Sequence, residues 1–467
     1  MKGYEEYKTV DSNWLESLPC NWELLPLQSQ LQERKEKNDR NQTSFILSLT
    51  AAVGVIPYSE KKTGGNKAKD DITKYNIAHE NDLIVNCMNV VAGSSGMSKY
   101  YGAISPVYYA LYVRNDSSNI RYWEYIFRNK KFYSSLIGLG NGIMMKKSST
   151  GKLNTVRKRI PMNKLNRVML PVPSKSEQDQ IVRYLDWKVS EMNRFIREKK
   201  KQIKLLEELK KKYIDEVITN GINDKADKCL SNAEWMGEVP SHWKSYRLKN
   251  IFTEVNERSE FGLEPHLSMS QKKGLVTDDE DIERRLLSES YAGAKLCDKD
   301  DLVLNRLKAH LGVFALAPIH GVVSPDYTVL RLNTKKVVPR YLEYLLKSNV
   351  CRKELVIRVR GIVEGFWRLY TEDLGVIPIC IPGIEEQQAI LDTISDYDET
   401  IKKLTDGIQK EITLVEEFRT KLIADVVTGQ VDVRDEIIPD YTSDSGAEAL
   451  ENDSLEDEDE EFPSEEE

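Results

Sequence analysis

The strongest constraint on the fold of this 467-residue chain is that its sequence is written twice. A Trp-x4-Pro-x2-Trp block at residues 14–22 recurs at 235–243, and Ser105-Pro106 recurs as Ser324-Pro325. Three longer blocks repeat in the same order: N-D-L-I-V-N (81–86) with D-D-L-V-L-N (300–305), R-Y-W-E-Y-I (121–126) with R-Y-L-E-Y-L (340–345), and L-P-V-P-S-K-S-E-Q (170–178) with I-C-I-P-G-I-E-E-Q (379–387). Matching blocks in one order indicate a tandem duplication, so we expect two related folding units.

The spacing between the two copies changes at one place. The offset is 219 residues for the R-Y block and 209 for the block that ends in Glu-Gln, so the first copy holds ten extra residues between 126 and 170. Residues 138–160 in that interval contain six basic side chains, several glycines and no acidic side chain. Two copies that share a scaffold but differ in a basic loop suggest two related tasks with different targets.

The first part of each copy has a mixed strand and helix pattern. Short apolar runs bounded by turns predict strands at 44–49, 83–85 and 107–113 in the first copy and at 302–304 and 328–332 in the second. An amphipathic helix is expected to begin near Arg121 in the first copy and near Arg340 in the second. The pattern predicts an α+β globule in each copy.

The second part of each copy is predicted to be one long helix, at residues 174–220 and 385–428. Apolar residues recur there at alternating three- and four-residue steps, which is the spacing of a coiled-coil seam. The seam positions are Ile181, Leu185, Val189, Met192, Ile196, Ile203, Leu206, Tyr213 and Val217 in the first helix, and Ile390, Ile394, Tyr397, Ile401, Leu404, Ile408, Val415, Leu422 and Val426 in the second. The simplest arrangement packs the two helices on each other, antiparallel across a pseudo-twofold axis. The alternative is that each helix binds another protein.

The formal net charge of −8 does not describe one surface. Residues 432–467 hold 17 acidic side chains and one basic side chain, so the first 431 residues carry a net charge of +8. A mildly basic body is compatible with DNA binding, whereas an acidic tail that is poor in aromatic residues is expected to be disordered. A second interpretation of the tail is that residues 455–467 compete with DNA or meet a basic partner.

Familiar catalytic and metal-binding patterns are missing from the sequence. The six cysteines form no Cys-x2-Cys pair, the five histidines form no His-Glu-x2-His motif, and Gly151-Lys152 lacks the context of a phosphate-binding loop. There is no Asn/Asp-Pro-Pro-Tyr/Phe segment of the kind that adenine methyltransferases use, no apolar run near 18 residues and no signal peptide at the N-terminus. We therefore expect a cytoplasmic protein without a catalytic centre, a metal site or a cofactor of its own.

Basic side chains on loops suit DNA, because Lys and Arg contact phosphates and Arg can read base edges in a groove. The candidates are Lys146, Lys147, Lys152, Arg157, Lys158 and Arg159 in the first copy, and Arg306, Lys308, His310, Arg358, Arg360 and Arg368 in the second. Any single one of them could equally be a solvated charge, and the acid-free run of the first copy is the stronger group. The lysine clusters at 199–201 and 210–212 are expected to be solvated. The Trp pairs are expected to anchor the globule to its helix rather than to stack on bases.

Taken together, these blocks resemble the specificity (S) subunit of type I restriction-modification enzymes. The resemblance rests on the Trp-x4-Pro-x2-Trp openings, the turns before Asn86 and Asn305, the S-P-x-Y segments and the Pro-x3-Glu-Gln starts of both helices, and it covers about residues 12–430. It implies two target recognition domains joined by an antiparallel coiled coil, with each domain reading half of a bipartite site in double-stranded DNA. It also implies two methyltransferase (M) subunits and restriction/translocase (R) subunits as partners, where S-adenosylmethionine, ATP and Mg²⁺ would act.

The resemblance divides the chain into five segments. These are target recognition domain 1 (1–170), a first spacer helix (171–222), target recognition domain 2 (223–382), a second spacer helix (383–430) and an acidic tail (431–467). The alternative is a coiled-coil interaction protein or antirestriction scaffold that does not read DNA. The unequal basic loops favour the reader.

Overall fold

The computed structural model describes residues 2–50, 54–61, 71–88, 93–144, 157–270, 273–277, 291–308, 311–361 and 367–441. The chain forms two compact units, of which the first combines residues 1–200 with 409–467 and the second spans residues 201–408. Both boundaries fall inside the two long helices. Each unit therefore contains one globule and a part of both helices.

The first unit is built on an antiparallel sheet. Its strands are β1 (Tyr7–Thr9), β2 (Ser17–Pro19), β3 (Glu23–Pro26), β4 (Leu31–Glu33), β5 (Leu47–Thr50), β6 (Gly54–Pro57), β7 (Asn76–Ala78), β8 (Leu83–Asn86), β9 (Ser95–Met97), β10 (Gly102–Ile104), β11 (Tyr108–Val113), β12 (Asn141–Met144), β13 (Arg157–Arg159) and β14 (Met169–Val172). In the part of the chain that the structure describes, the main sheet has the order β4-β11-β8-β9, and the remaining strands pair as β1-β2, β3-β14, β5-β6, β7-β10 and β12-β13. The β3-β14 pair joins the segment after the first Trp block to the strand that leads into the long helix.

The second unit repeats this topology. Its strands are β15 (Lys228–Leu230), β16 (Glu238–Pro240), β17 (Lys244–Arg247), β18 (Phe252–Val255), β19 (Leu267–Ser270), β20 (Gly274–Thr277), β21 (Lys295–Cys297), β22 (Leu302–Asn305), β23 (Phe314–Leu316), β24 (Gly321–Val323), β25 (Tyr327–Leu332) and β26 (Pro378–Ile381). The main sheet has the order β18-β25-β22-β23, and β17-β26 repeats the pairing of β3 with β14. The duplication read from the sequence is thus a duplication of the fold.

A buried aspartate stands at the start of the central strand of each sheet. Asp82, just before β8, accepts hydrogen bonds from Arg34 at 2.7 and 2.9 Å. Asp301, just before β22, accepts hydrogen bonds from Arg331 at 2.9 and 2.7 Å. Because a buried carboxylate is costly unless it is paired, both repeats keep a bidentate arginine at this turn. The arginine follows β4 in the first unit but lies on β25 in the second, so the partner of the buried aspartate comes from a different part of the fold in each unit.

The helices are α1 (Leu27–Gln30), α2 (Ile120–Arg128), α3 (Lys130–Ser135), α4 (Met162–Leu165), α5 (Lys175–Asn220), α6 (Pro339–Lys347), α7 (Asn349–Val356), α8 (Thr371–Gly375) and α9 (Ile384–Val427). The long helices α5 and α9 agree with the predicted spans 174–220 and 385–428 to within one residue at each end. The short helices α2 and α6 begin at the predicted R-Y blocks.

The long helices pack antiparallel in each unit. In the first unit, Asn193 accepts a hydrogen bond from Arg419 at 2.5 Å, and Lys199 lies 2.6 Å from Glu411. In the second unit, Lys210 lies 3.2 Å from Asp398, and the Tyr213 and Tyr397 ring centroids are 4.1 Å apart. Residues further along α5 contact residues earlier in α9, from Asn193 with Arg419 to Tyr213 with Tyr397, so the two helices run antiparallel.

Two details of the helix prediction were wrong. Leu404 is 50% exposed although it was assigned to the seam, whereas Ile412, outside the predicted seam, is 1% exposed. An α-helix turns about 100° per residue, so Leu404 lies beside the stripe that Ile401 and Ile408 define and Ile412 lies on it. Lys199 and Lys210 belong to runs that were expected to be solvated, yet both pair with carboxylates of the other helix.

Each hydrophobic core joins one globule to parts of both long helices. The core of the first unit includes Trp22, Trp123 and Phe127 from the globule, Leu185 from α5 and Val426 from α9. The core of the second unit includes Tyr341 and Leu345 from the globule, Val217 and Ile218 from α5, and Ile390 from α9. Truncating one fully buried aromatic side chain of this kind costs about 3–5 kcal/mol. The helices are therefore part of each folded unit rather than an independent linker.

The first residues of the acidic tail pack as part of the first unit, in contrast to the disorder expected from residue 431 onward. Val433 is 1% exposed, and Gln180 on α5 donates hydrogen bonds to the carbonyls of Val433 and Glu436 at 3.0 and 2.9 Å. Asp432 N also donates to Lys2 O at 2.9 Å, so the beginning of the chain meets this segment. Local apolar residues and long-range hydrogen bonds hold residues 431–441 despite their charge. Residues 442–467 lie outside the described residues.

Candidate nucleic-acid interface

The second tryptophan of each Trp block binds a carboxylate at the start of the long helix. Trp22 is fully buried and donates its indole hydrogen to Glu177 Oε1 at 2.9 Å, and the Tyr4 hydroxyl donates to the same oxygen at 2.6 Å. In the second unit, Trp243 donates to Glu386 Oε1 at 3.2 Å. Glu177 and Glu386 are the glutamates of the two Glu-Gln helix starts. The Trp blocks thus lock each globule onto its helix.

The first tryptophan of each block binds the strand that precedes the long helix. Trp14 donates to the carbonyl of Met169 on β14 at 3.1 Å, and Trp235 donates to the carbonyl of Pro378 on β26 at 2.7 Å. All four indole nitrogens of the two blocks are therefore used inside the protein. This confirms the prediction that the Trp pairs are structural anchors rather than base-stacking platforms.

The glutamine of each Glu-Gln start ties the long helix to the short one. Gln178 is fully buried and accepts a hydrogen bond from the backbone of Asn119, the N-cap of α2, at 2.8 Å. Gln387 is equally buried and accepts from the backbone of Val338, the N-cap of α6, at 2.8 Å. The side-chain nitrogen of each glutamine also donates to the proline carbonyl five residues earlier, at 3.0 and 2.9 Å. Two such bonds in each unit thus tie the start of the long helix to its surroundings in the globule.

A buried tyrosine of each R-Y block holds the end of the other long helix. The Tyr122 hydroxyl donates to Val427 O at 3.0 Å, at the end of α9, and the Tyr341 hydroxyl donates to Ile218 O at 3.0 Å, near the end of α5. Burial raises the pKa of both hydroxyls well above the ordinary tyrosine value, so they remain neutral donors. Carbonyls at a helix end have no partner within the helix, and these hydroxyls supply one.

Sequence reasoning recognised these blocks but did not assign roles to their Glu, Gln and Tyr side chains. The available signal was their recurrence at equal positions in both copies, because apolar periodicity alone needs no buried Glu or Gln at a helix start. These residues connect each globule to the long helices.

The ten-residue length difference lies in one hairpin, which we call the arm. In the first unit, Asn141 on β12 pairs with Arg159 on β13. In the second unit, the equivalent positions, Arg360 and Arg368, pair as an isolated antiparallel bridge. The arm therefore spans 141–159 in the first copy and only 360–368 in the second. Both arms connect to the same point of the sheet.

The candidate DNA-binding residues of the first copy all fall on this arm. Lys146, Lys147 and Lys152 lie outside the described residues. Arg157 and Lys158 lie on β13, and the structure does not describe their side chains. Arg159 is exposed, and its hydrogen bond with Tyr109, together with the nearby Cys87 thiol, raises its pKa.

The described candidates of the second copy lie in the turn after β22, in the turn after α7 and on the short arm. Arg306 follows β22 and donates to Thr328 Oγ1 at 2.6 Å and to Glu254 Oε1 at 3.0 Å. Lys308 is exposed, and His310 lies outside the described residues.

The other three candidates of the second copy differ in how free their guanidinium groups are. Arg358, which follows the end of α7, pairs with Glu354 in the last turn of that helix. Arg360 pairs with Asp373 but keeps a side chain that is 67% exposed. Arg368 is exposed beside it on the arm. Among the described candidates of the second copy, Lys308, Arg360 and Arg368 are thus the most exposed.

Among the described residues, no group of three or more His, Cys, Asp or Glu side chains could hold a metal ion. Within the same residues, none of the helices is both long enough and apolar enough to cross a membrane.

The chain is similar in sequence and fold to known proteins of one kind. A family model of the type I restriction modification DNA specificity domain matches residues 31–205 and again residues 240–414. A candidate type I restriction enzyme MjaX specificity subunit of Methanocaldococcus jannaschii is 25% identical over 282 residues, which cover 59% of this chain and 62% of that relative. The match thus spans just over three fifths of that relative's length. The type I restriction enzyme MjaVIII specificity subunit of the same organism is 24% identical over 380 residues, covering 77% of this chain and 81% of that relative.

A solved structure supports the same fold. A chain from a study of complex assembly and conformational transition of the type I R-M system superposes with a TM-score of 0.60 at 14% identity, covering 89% of this chain and 99% of that chain. The two family matches together cover well over half of the chain, and each includes most of one globule and part of its long helix. The chain therefore belongs to the type I restriction-modification DNA specificity family, and it contains the specificity domain twice.

Proposed function

We propose that this chain is the DNA-reading specificity subunit of a type I restriction-modification complex, and that each globule reads one half of a bipartite target. The observation that supports this most directly is the double match of the DNA specificity domain in one chain. Because the two frameworks are alike and their arms differ by ten residues, each globule would read its own bases. We call the globules target recognition domains 1 and 2 from here on.

In this proposal the chain has no catalytic centre and binds no cofactor. Methylation and cleavage belong to two methyltransferase subunits and to restriction/translocase subunits, where S-adenosylmethionine, ATP and Mg²⁺ act. Exposed apolar side chains that lie one turn apart on the long helices, such as Leu205 with Leu209 and Leu414 with Phe418, support protein docking there, because contiguous exposed apolar groups mark contact surfaces. Phe195 on α5 and Leu404 on α9 are exposed as well. The complex would work in the cytoplasm, where the DNA is.

A methylome tests this proposal. Cells that express the full-length chain with its methyltransferase partner should show adenine methylation at a gapped, two-part motif, and deletion of this chain should abolish it. The matched control is the methyltransferase subunit expressed alone. An unchanged methylome after deletion would refute the proposal.

A coiled-coil scaffold or antirestriction protein that does not read DNA is the second candidate. The observation that favours it is the segment 432–467, with 17 acidic side chains and one basic one, because such a segment can compete with DNA for basic proteins. Binding of the purified chain to duplex DNA separates the two. A reader binds with a steep dependence on salt, since each phosphate contact contributes about 0.9 to the slope of log K against log salt. A scaffold shows no binding.

A further inference from the structure

The base of the second arm is held against the sheet by a cluster of polar side chains, which we call the joint. It contains Arg306, Thr328, Glu254 and Thr371. The backbone N–H of Leu369, next to Arg368, donates to Arg306 O at 3.2 Å. The Arg306 guanidinium then bridges two strands, through Thr328 on β25 and Glu254 on β18. The other oxygen of Glu254 accepts a hydrogen bond from Thr371 at the start of α8, just after the arm. One arginine therefore links the arm, the sheet and the segment that follows the arm.

Glu254 also receives a second cation. Lys295 on β21 is 2% exposed, and its Nζ lies 3.4 Å from Glu254 Oε1. Because two cations share one carboxylate, the joint keeps a partner for Glu254 when Arg306 is neutralised. Such a substitution should loosen the joint without leaving a lone buried carboxylate.

The first domain has the same joint with the arginine on the other side. The backbone N–H of Ile160 donates to Cys87 O at 3.0 Å, and Cys87 and Ile160 occupy the positions of Arg306 and Leu369. Here the guanidinium comes from the arm, because Arg159 reaches back to the Tyr109 hydroxyl and the Cys87 thiol. Tyr109 stands at the position of Thr328, and its hydroxyl donates to Ile160 O at 3.0 Å. In both domains a guanidinium thus lies where the arm leaves the sheet.

We propose that Arg306 is a positioning residue, which fixes the base of the second arm as Arg159 does for the first arm from the opposite side of the same joint. Arg306 therefore acts on specificity through the arm and not as a phosphate contact. This role rests on the proposed function in DNA reading. The exposed Arg360 and Arg368 are left as the arm residues that meet DNA.

The test compares Arg306→Gln with the double variant Arg360→Gln/Arg368→Gln in the full-length chain. With the methyltransferase partner present, Arg306→Gln should make only one half of the methylation motif degenerate. In binding of the purified chain to duplex DNA, it should leave the salt slope unchanged. The double variant should instead lower that slope by up to about two units, at about 0.9 for each lost phosphate contact. A slope lowered by about one unit in Arg306→Gln with an unaltered motif, or a change in both halves, would overturn the proposal.

A measurement without DNA separates this inference from the proposed function. Loss of the hydrogen-bonded guanidinium weakens the joint, so hydrogen exchange at the Leu369 amide should become about tenfold faster in Arg306→Gln. Unchanged exchange refutes the positioning role even where the motif is lost. An unaltered chain that yields no gapped motif refutes the proposed function, while faster exchange at Leu369 still supports the joint.

A reciprocal variant guards against simple loss of folding. Arg306→Cys with Thr328→Tyr rebuilds the joint of the first domain, since Arg368 occupies the position of Arg159. This variant should recover slow exchange at Leu369 and a sharp half-motif relative to Arg306→Cys alone. If the pair is no better than the single substitution, the equivalence of the two joints is wrong.

Discussion

The two recognition domains share a backbone framework and differ in the side chains at its edges. Both have the same sheet order, the same Trp and Glu-Gln anchors and the same backbone bond from the arm to the sheet. They differ in arm length, in the side that supplies the arginine of the joint and in the strand that supplies the arginine for the buried aspartate. The comparison shows that the duplicated frame tolerates exchange of polar partners as long as each buried group keeps one.

A turn at the edge of each domain shows the same divergence. Asn41 and Gly262 occupy equivalent positions, with left-handed φ values of 49° and 67°. Their neighbours are Arg40 and Gln42 in the first domain, but Phe261 and Leu263 in the second, at 69% and 86% exposed. An Asn or a Gly satisfies the backbone requirement, and the adjacent side chains are then free to change.

Exchange of a whole domain is expected to have the largest effect on the methylation motif. Replacing residues 20–170 with the corresponding segment of a relative should change one half of the methylation motif completely and leave the other half intact. The reason is that the first domain has its own core and its own anchors. The methylome of cells carrying the chimera measures this, with the reverse exchange in the second domain as control. A change in both halves would mean that the two domains do not read independently.

The second largest effect is expected from neutralising the basic side chains of the long arm. Replacing Lys146, Lys147, Arg157 and Lys158 by Gln, with Arg159 left in place, should lower the salt slope of DNA binding by up to about 3.6 units, at about 0.9 for each phosphate contact. The short arm has fewer basic side chains in its sequence, so its matched variant should lose less. Binding isotherms at several salt concentrations measure both slopes. Equal losses, or none for the long arm, would place the length difference away from the DNA.

A smaller effect is expected from removing Glu177 or Glu386, the glutamates that bind the Trp blocks, and the two substitutions should lower the free energy of unfolding by different amounts. Glu177 is buried and accepts hydrogen bonds from Tyr4, Trp22 and Asn21, whereas the Glu386 side chain is 25% exposed. Leaving buried donors unpaired costs about 1–3 kcal/mol, so Glu177→Ala should lower the free energy of unfolding by about 3 kcal/mol and Glu386→Ala by about half as much.

Denaturant unfolding of both variants measures this difference. Glu177→Gln and Glu386→Gln are the controls, since each keeps an acceptor oxygen. If Glu386→Ala costs as much as Glu177→Ala, exposure does not distinguish the two anchors.

The smallest effect concerns the pair of His320 and Asp298 in the second domain. His320 hydrogen-bonds to Asp298 at 2.7 Å, and this bond, followed by the charge of Arg331, lowers the pKa of Asp298 below its ordinary value. The equivalent positions in the first domain hold Tyr101 and His79, whose rings meet edge to face.

The sign of this effect follows from the lowered pKa. The ionised Asp298 favours the fold above its ordinary pKa, and that contribution is lost as the pH falls through the lowered value. His320→Ala should therefore raise the pKa of Asp298 toward its ordinary value, which carboxyl carbon NMR across acidic pH can follow. Tyr101→Ala in the first domain should leave it unchanged, and an unshifted Asp298 in His320→Ala would assign the lowering to Arg331 alone.

Much of the architecture was predictable because it is written in periodic and repeated features. The long helices ended within one residue of their predicted bounds, since uninterrupted apolar periodicity without Pro is a strong local signal. The short helices near Arg121 and Arg340 and the central strands, predicted at 83–85 and 302–304 and each one residue longer in the structure, followed from the same kind of pattern. The change in offset placed the ten extra residues between 126 and 170 without any structure.

The candidate interface was less predictable, because exposure and pairing depend on residues far apart in the chain. Arg306 looks like an open charge in the sequence, yet its guanidinium group is taken up by Glu254, 52 residues away. Leu404 fits a seam by its spacing and is half exposed. Residues 431–441 have the composition of a tail and still pack, because Gln180 and Lys2 meet them through the tertiary fold.

By itself the sequence determined the duplication, the two long helices, the family and the place where the copies differ, because each of these is a pattern along the chain. Only the tertiary structure decided which buried carboxylates hold the Trp anchors, which glutamines and tyrosines lock the helices, and which arginines are occupied at the base of each arm. Those are questions of which side chains meet in space, and a polar side chain is stabilised only by the partner that the fold brings to it.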